Sequence, residues 1–159
     1  MSEVNMGFVP RDAGLVGPEM EALFAKGEQV TLQVSGDSMR PTLKPRRDAV
    51  LLMPVSGGPF RSGEILFYRS QRSASGYALH RVVGVSGDGL TMNGDAQVWT
   101  EEISPEDVLA KAIVLIRKGK PVDAGGLPLR LFAAVWGVTR PLRFRLFAIW
   151  RGIKQIIKK

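Results

Sequence analysis

The chain has 159 residues, no cysteine and one histidine, and a formal net charge of +7. That length suits one domain with a true core, and the missing cysteines exclude disulfides, thiol catalysis and cysteine-ligated zinc. The lone His80 likewise excludes a histidine-rich metal site, so no metal or cofactor is implied.

The charge is unevenly placed. After Asp123 there is no acid, while Arg130, Arg140, Arg143, Arg145, Arg151, Lys154, Lys158 and Lys159 follow, so the body before them is close to neutral. The first 26 residues mix Glu3, Arg11, Asp12, Glu19 and Glu21 among short apolar pieces, which does not suit a secretory signal. The longest charge-free stretch of the apolar tail, 131–139, falls far short of the ~18 residues a membrane span needs. The expected location is therefore the cytoplasm or the periphery of a membrane.

In chain order, "GPEMEALFAKG" predicts a short helix, with Pro18 at its first position, Glu19 and Glu21 near its start and Gly27 at its stop. Six β-favouring runs follow: "EQVTLQV", "AVLLMPV", "EILFYR", "YALHRVVGV", "LTMNG" and "VLAKAIVLI". Turn signals separate them, and "SGDG" between the fourth and fifth reads as a hairpin. Short strands at this spacing predict a mainly β fold, a strongly bent sheet or partial barrel. "VDAGGLP" (122–128) marks a boundary, giving a body over 1–123 and a basic amphipathic extension over 124–159. In that extension Leu142, Leu146, Ile149, Trp150, Ile153 and Ile157 fall on one helical face, and Pro141 divides the helix into two pieces.

Three residues could carry chemistry. Ser38, in "SGDSMRPTL", lies just after a strand, and Pro41 forces a turn there, a setting that exposes both its hydroxyl and its amide N–H. A serine hydroxyl is a poor nucleophile until a base takes its proton. His80, in "YALHRVVGV", is the one side chain with a near-neutral pKa, and Asp95, in "MNGDAQ", is an acid in a turn after the next strand. Singly, each suits an ordinary structural role: a turn residue, a hydrogen-bonded strand histidine, a turn aspartate. Jointly they supply the nucleophile, base and orienting acid of a Ser-His-Asp relay.

"SGDSMRPTL", "GEILFY", "HRVVGV" and "NGDA", in that order over about residues 30–118, resemble the signal peptidase I superfamily. The resemblance implies a strongly bent β catalytic domain and a serine endopeptidase in which Ser38, before Met39, is the nucleophile. Bacterial members commonly use a lysine before "RV"; His80 stands there, similar to the endoplasmic-reticulum and archaeal type. Asp95 matches the aspartate of that type's "GD" box, with Glu101 and Glu102 in "WTEE" as the other acids that could orient the imidazole. Position 36 is glycine, so a hydroxyl that donates to the oxyanion in many bacterial members is absent, and backbone N–H groups or Ser35 would serve instead.

The implied activity is cleavage of a precursor or leader peptide, as in signal-peptide processing, with the substrate laid as an added strand on a sheet edge. One alternative is self-cleavage at Ala13-Gly14, as in the repressors whose protease domain shares the "GDSM" box; another is a peptide-binding module that does not cut. The tail suits peripheral contact with a membrane better than nucleic acid, because Trp136, Phe144, Phe147 and Trp150 lie among its aliphatics; the other reading is that its apolar face packs on the β body as a closing helix.

Overall fold

The computed structural model describes residues 13–143 together with Arg145, Leu146 and Ile149. Helix α1 (Ala13–Ala25) leads into β1 (Val30–Gln33), β2 (Ala49–Pro54), β3 (Ile65–Arg69), β4 (Tyr77–Ser86), β5 (Gly89–Asn93), β6 (Glu101–Ile103), β7 (Val108–Arg117) and β8 (Lys120–Asp123), and α2 (Leu127–Val138) follows. All pairings are antiparallel, and the strands form one sheet in the order β1-β2-β7-β3-β4-β5-β6, with β8 added on β7. The fold is mainly β, and the sheet is open, with β1 at one end and β6 at the other.

Two strands exceed the six predicted ones. β6 carries two glutamates and β8 reads "KPVD", compositions poor in strand signal; pairing with β5 and β7 makes them strands. Helix α1 begins earlier than predicted, so Pro18 lies inside it rather than at its first position. Its end is as expected. Gly27 adopts φ 77°, its N–H bonds Phe24 O and the Glu28 N–H bonds Leu23 O, the paired closure that a left-handed glycine allows.

Strand alternation gives the sheet a core on each face. Ile65 and Phe67 of β3 join Met20, Phe24, Leu32, Met39, Leu43, Leu52 and Leu115 on one side. Leu66 and Tyr68 join Val82, Leu90, Met92 and Ile103 on the other. Register shifts at Leu51/Leu52, Phe67/Tyr68 and Val82/Gly84 are bulges that add local twist.

The chain after Asp123 packs on the body: Leu129 of α2 is buried in the first core. α2 ends at Val138, Thr139 forms a turn, and helical backbone resumes at Arg140, so the division predicted near Pro141 is observed. The apolar face predicted there is exposed where it is described, at Leu142, Leu146 and Ile149; Trp150, Ile153 and Ile157 lie outside the described residues. No helix among the described residues is long and apolar enough to cross a membrane.

Candidate active site

Ser38 sits in the long connection from β1 to β2, which has little secondary structure and many fastenings. Met39 and Leu43 are buried in the first core, and the Leu43 N–H bonds Met39 O. At the far end, the buried carboxylate of Asp48 accepts the amides of Lys44 and Lys118 at 2.8 and 3.1 Å and a forked contact from Arg47. Burial alone would raise the Asp48 pKa; the Arg47 hydrogen bonds, the two amides and the Arg47 charge outweigh it and hold it at about 2. Ser38 itself is tied to the turn after β5, where the Ala96 N–H donates to Ser38 O at 2.8 Å. Gly94 permits that approach, since a Cβ there would lie 2.7 Å from Ser38 O. The Ser38 N–H has no acceptor among the described residues.

His80 lies in β4 opposite Leu66 of β3, and Tyr68 two residues along β3 reaches its ring. His80 Nδ1 is 2.9 Å from Tyr68 Oη, and Tyr68 Oη is 3.0 Å from Glu101 Oε2. Burial and the Glu101 carboxylate both push the Tyr68 pKa upward, so the phenol keeps its one proton and donates it to the carboxylate. The phenol oxygen then accepts from His80 Nδ1–H. This network assigns the tautomer: Nε2 is the unprotonated nitrogen. Nε2 has no hydrogen-bond partner among the described residues and is not fully enclosed.

Burial drives the His80 pKa down to about 4, with the carboxylates of Glu101 and Asp95 opposing that shift. Trp99 and the imidazole meet in a T-shaped contact at a ring separation of 6.0 Å, and Arg72 stacks over the indole. Glu101 is buried yet well supplied with donors. Besides Tyr68 it accepts Ser70 Oγ at 2.8 Å, the Gln71 N–H at 3.1 Å and the Arg72 N–H at 3.4 Å.

Ser38 and His80 line one cleft of about 400 Å³, with Leu32, Val34, Leu79 and Trp99 among its walls. No hydrogen bond joins Ser38 Oγ to His80 Nε2 among those described. Two strand edges border the cleft. β1 pairs only with β2, and the β4–β5 ladder starts at Arg81, so residues 77–80 have no strand partner on that side. On the β4 edge Ser75 Oγ already bonds the N–H and the carbonyl of Tyr77, so the backbone left to an extended peptide there is that of residues 78–80.

Asp95, expected to orient His80, is engaged elsewhere. Its two oxygens take Arg81 Nε and Nη2 at 2.8 Å each, and Oδ2 also accepts Thr42 Oγ1. Arg81 completes its bonding with Gly63 O at 2.8 Å and Thr42 Oγ1 at 3.2 Å. The physical reason is alternation: adjacent residues of a strand face opposite sides, so Asp95 meets Arg81 while His80 meets Tyr68. The acid linked to His80 is Glu101, through Tyr68; Glu102 is exposed. Tyr68, Ser70 and Arg81 escaped the sequence reading. Only the register between β3 and β4 reveals Tyr68, and the "HR" pair alone offered a hint of Arg81.

Among the described residues, no group of three or more His, Asp and Glu side chains could hold a metal ion. No family model, curated protein or solved structure matches the chain.

Proposed function

We propose that the chain is a serine endopeptidase of the signal peptidase type, cleaving an extended segment of a precursor or leader peptide. The observation that carries the reading is the state of His80: Nδ1 is committed to Tyr68 and through it to Glu101, while Nε2 is left without a partner among the described residues, in a side chain that lines the same cleft as Ser38. In the proposed reaction the peptide adds as a strand between the free edges of β1 and β4. Ser38 Oγ attacks the scissile carbonyl carbon while Nε2 takes its proton, and the Ser38 N–H donates to the oxyanion. The imidazolium is stabilised by Glu101 through Tyr68. It returns the proton to the leaving amine as the C–N bond breaks, and water, deprotonated by the same nitrogen, hydrolyses the acyl-enzyme.

One observation favours a second reading, a peptide-binding module that does not cut: Ser38 and His80 are not hydrogen-bonded. Self-cleavage at Ala13-Gly14 is less well supported, because that bond lies in the first turn of α1, where it is not extended. A serine-directed fluorophosphonate decides between cutting and binding. Cutting requires a stoichiometric adduct mapped to Ser38 and lost in His80→Ala; an unlabelled chain that still binds extended peptides supports the module.

A further inference from the structure

Helix α2 and the helical turn after it have two faces with different surroundings. The inner face is held by the body. Phe132 stacks on Trp136 at 5.3 Å and lies below the Arg81 guanidinium, and Trp136 Nε1 and Arg143 Nη1 donate to the backbone oxygen of Asp95 at 3.1 and 2.9 Å. The outer face carries Leu127, Leu131, Val135, Val138, Leu142, Leu146 and Ile149, each 57–81% exposed. Their spacing runs four, four, three and then four, four, three again, which keeps them on one line along the helix and across the Thr139 joint. Among the large apolar side chains exposed in the described residues, only Met53 and Val85 stand elsewhere. An uninterrupted line of this kind is a contact surface, unlike scattered single residues.

Charge selects what covers it. Arg130 of α2 and Arg145 of the helical stretch after Thr139 are exposed, and residues 124–159 carry eight cations and no acid. A second copy of this face would bring the same cations against it. We infer that the outer face of α2 seats the protein in the headgroup layer of an anionic lipid bilayer, with the apolar line in the acyl boundary and the arginines among phosphates. The inference stands apart from catalysis, since it needs only the helix and its charge.

The test is sedimentation of the full chain with vesicles of phosphatidylcholine containing phosphatidylglycerol, and with phosphatidylcholine alone. Binding is expected to the first, far less to the second, and to be largely released by high salt. Val135→Asp with Val138→Asp, and separately Leu142→Asp, should each lower partitioning at least about tenfold with an unchanged melting curve. Val85→Asp, a change at a half-exposed position on β4, should leave it unaltered. Equal binding to both vesicles overturns the inference, as does binding indifferent to the helix substitutions. A chain that ignores vesicles but dimerises, and loses the dimer on Val135→Asp with Val138→Asp, identifies a second copy as the occupant and also overturns it.

Discussion

His80 and Arg81, neighbours in β4, point to opposite faces of the sheet and serve separate networks. His80 passes through Tyr68 to Glu101, and Arg81 clamps Asp95 and Thr42. One network sets the state of an imidazole at the cleft. The other ties the serine connection, through Thr42, to β4 and to the turn that holds Ser38 O. The two carboxylates should therefore fail differently when changed.

Asp95→Asn leaves the buried Arg81 charge without its counter-charge, and should lower stability by about 3–5 kcal/mol. Glu101→Gln strands no buried cation; it should cost less stability and lower kcat by about ten- to a hundredfold by removing the charge that favours the imidazolium. Urea melts and peptide turnover on both variants check the contrast. Asp95→Asn with native stability and abolished turnover would return the orienting role to Asp95.

Tyr68→Phe keeps the ring in the second core and removes the oxygen between His80 and Glu101. The loss should fall on kcat more than KM, at roughly ten- to a hundredfold, and the acid limb of the pH profile should move as His80 loses its link to the carboxylate. Stability should drop by about 1–3 kcal/mol for the buried groups left unpaired. A Tyr68→Phe variant with an unaltered profile would show that the phenol only fills space.

Ser38→Ala and His80→Ala should each reduce turnover by roughly four orders of magnitude, and the double variant little further, since relay members act as a unit. Multiplying losses would place the two in separate steps.

Acid titration should reveal His80. Its folded pKa, near 4, lies below the unfolded 6.5, so the unfolded chain binds the proton first as pH falls. The His80 contribution is complete above about pH 6.5 and is lost between there and about pH 4, up to about 3 kcal/mol. Asp48, depressed from 3.8 to about 2, adds a separate loss at lower pH, as pH falls from 3.8 to about 2. Stability of the wild type and His80→Gln at a series of pH values should differ in slope between pH 4 and 6.5 and match below. Activity should rise along a limb below 6.5; a limb near 8–9 would require another base.

Gly94→Ala should pull Ser38 O away from the Ala96 N–H, because the new Cβ has no room beside it. Acylation of Ser38 by the fluorophosphonate should slow by an order of magnitude or more, in a chain that still melts cooperatively. Unchanged labelling would mean that the serine is positioned without this contact.

Local chemistry made much of this chain legible. Gly27 ends α1 because a left-handed residue is needed there, the alternating runs became strands, and "SGDG" closed the β4–β5 hairpin, since each is decided within a few residues. The serine in its turn and the single histidine stood out as residue types with few other uses. What the sequence left open was pairing. Glu101 lies 33 residues beyond Tyr68, and only the stacking of β6 on β5 and of β4 on β3 brings the carboxylate, phenol and imidazole into line. Asp95 matched the pattern of an orienting acid, yet strand alternation turned Arg81 toward it and His80 away. Likewise the helical period revealed an apolar face in the tail; packing of Leu129, Phe132 and Trp136 on the body decided which side of that helix meets solvent. Register and facing are properties of strand and helix pairs, and one stretch of chain holds no record of its partner.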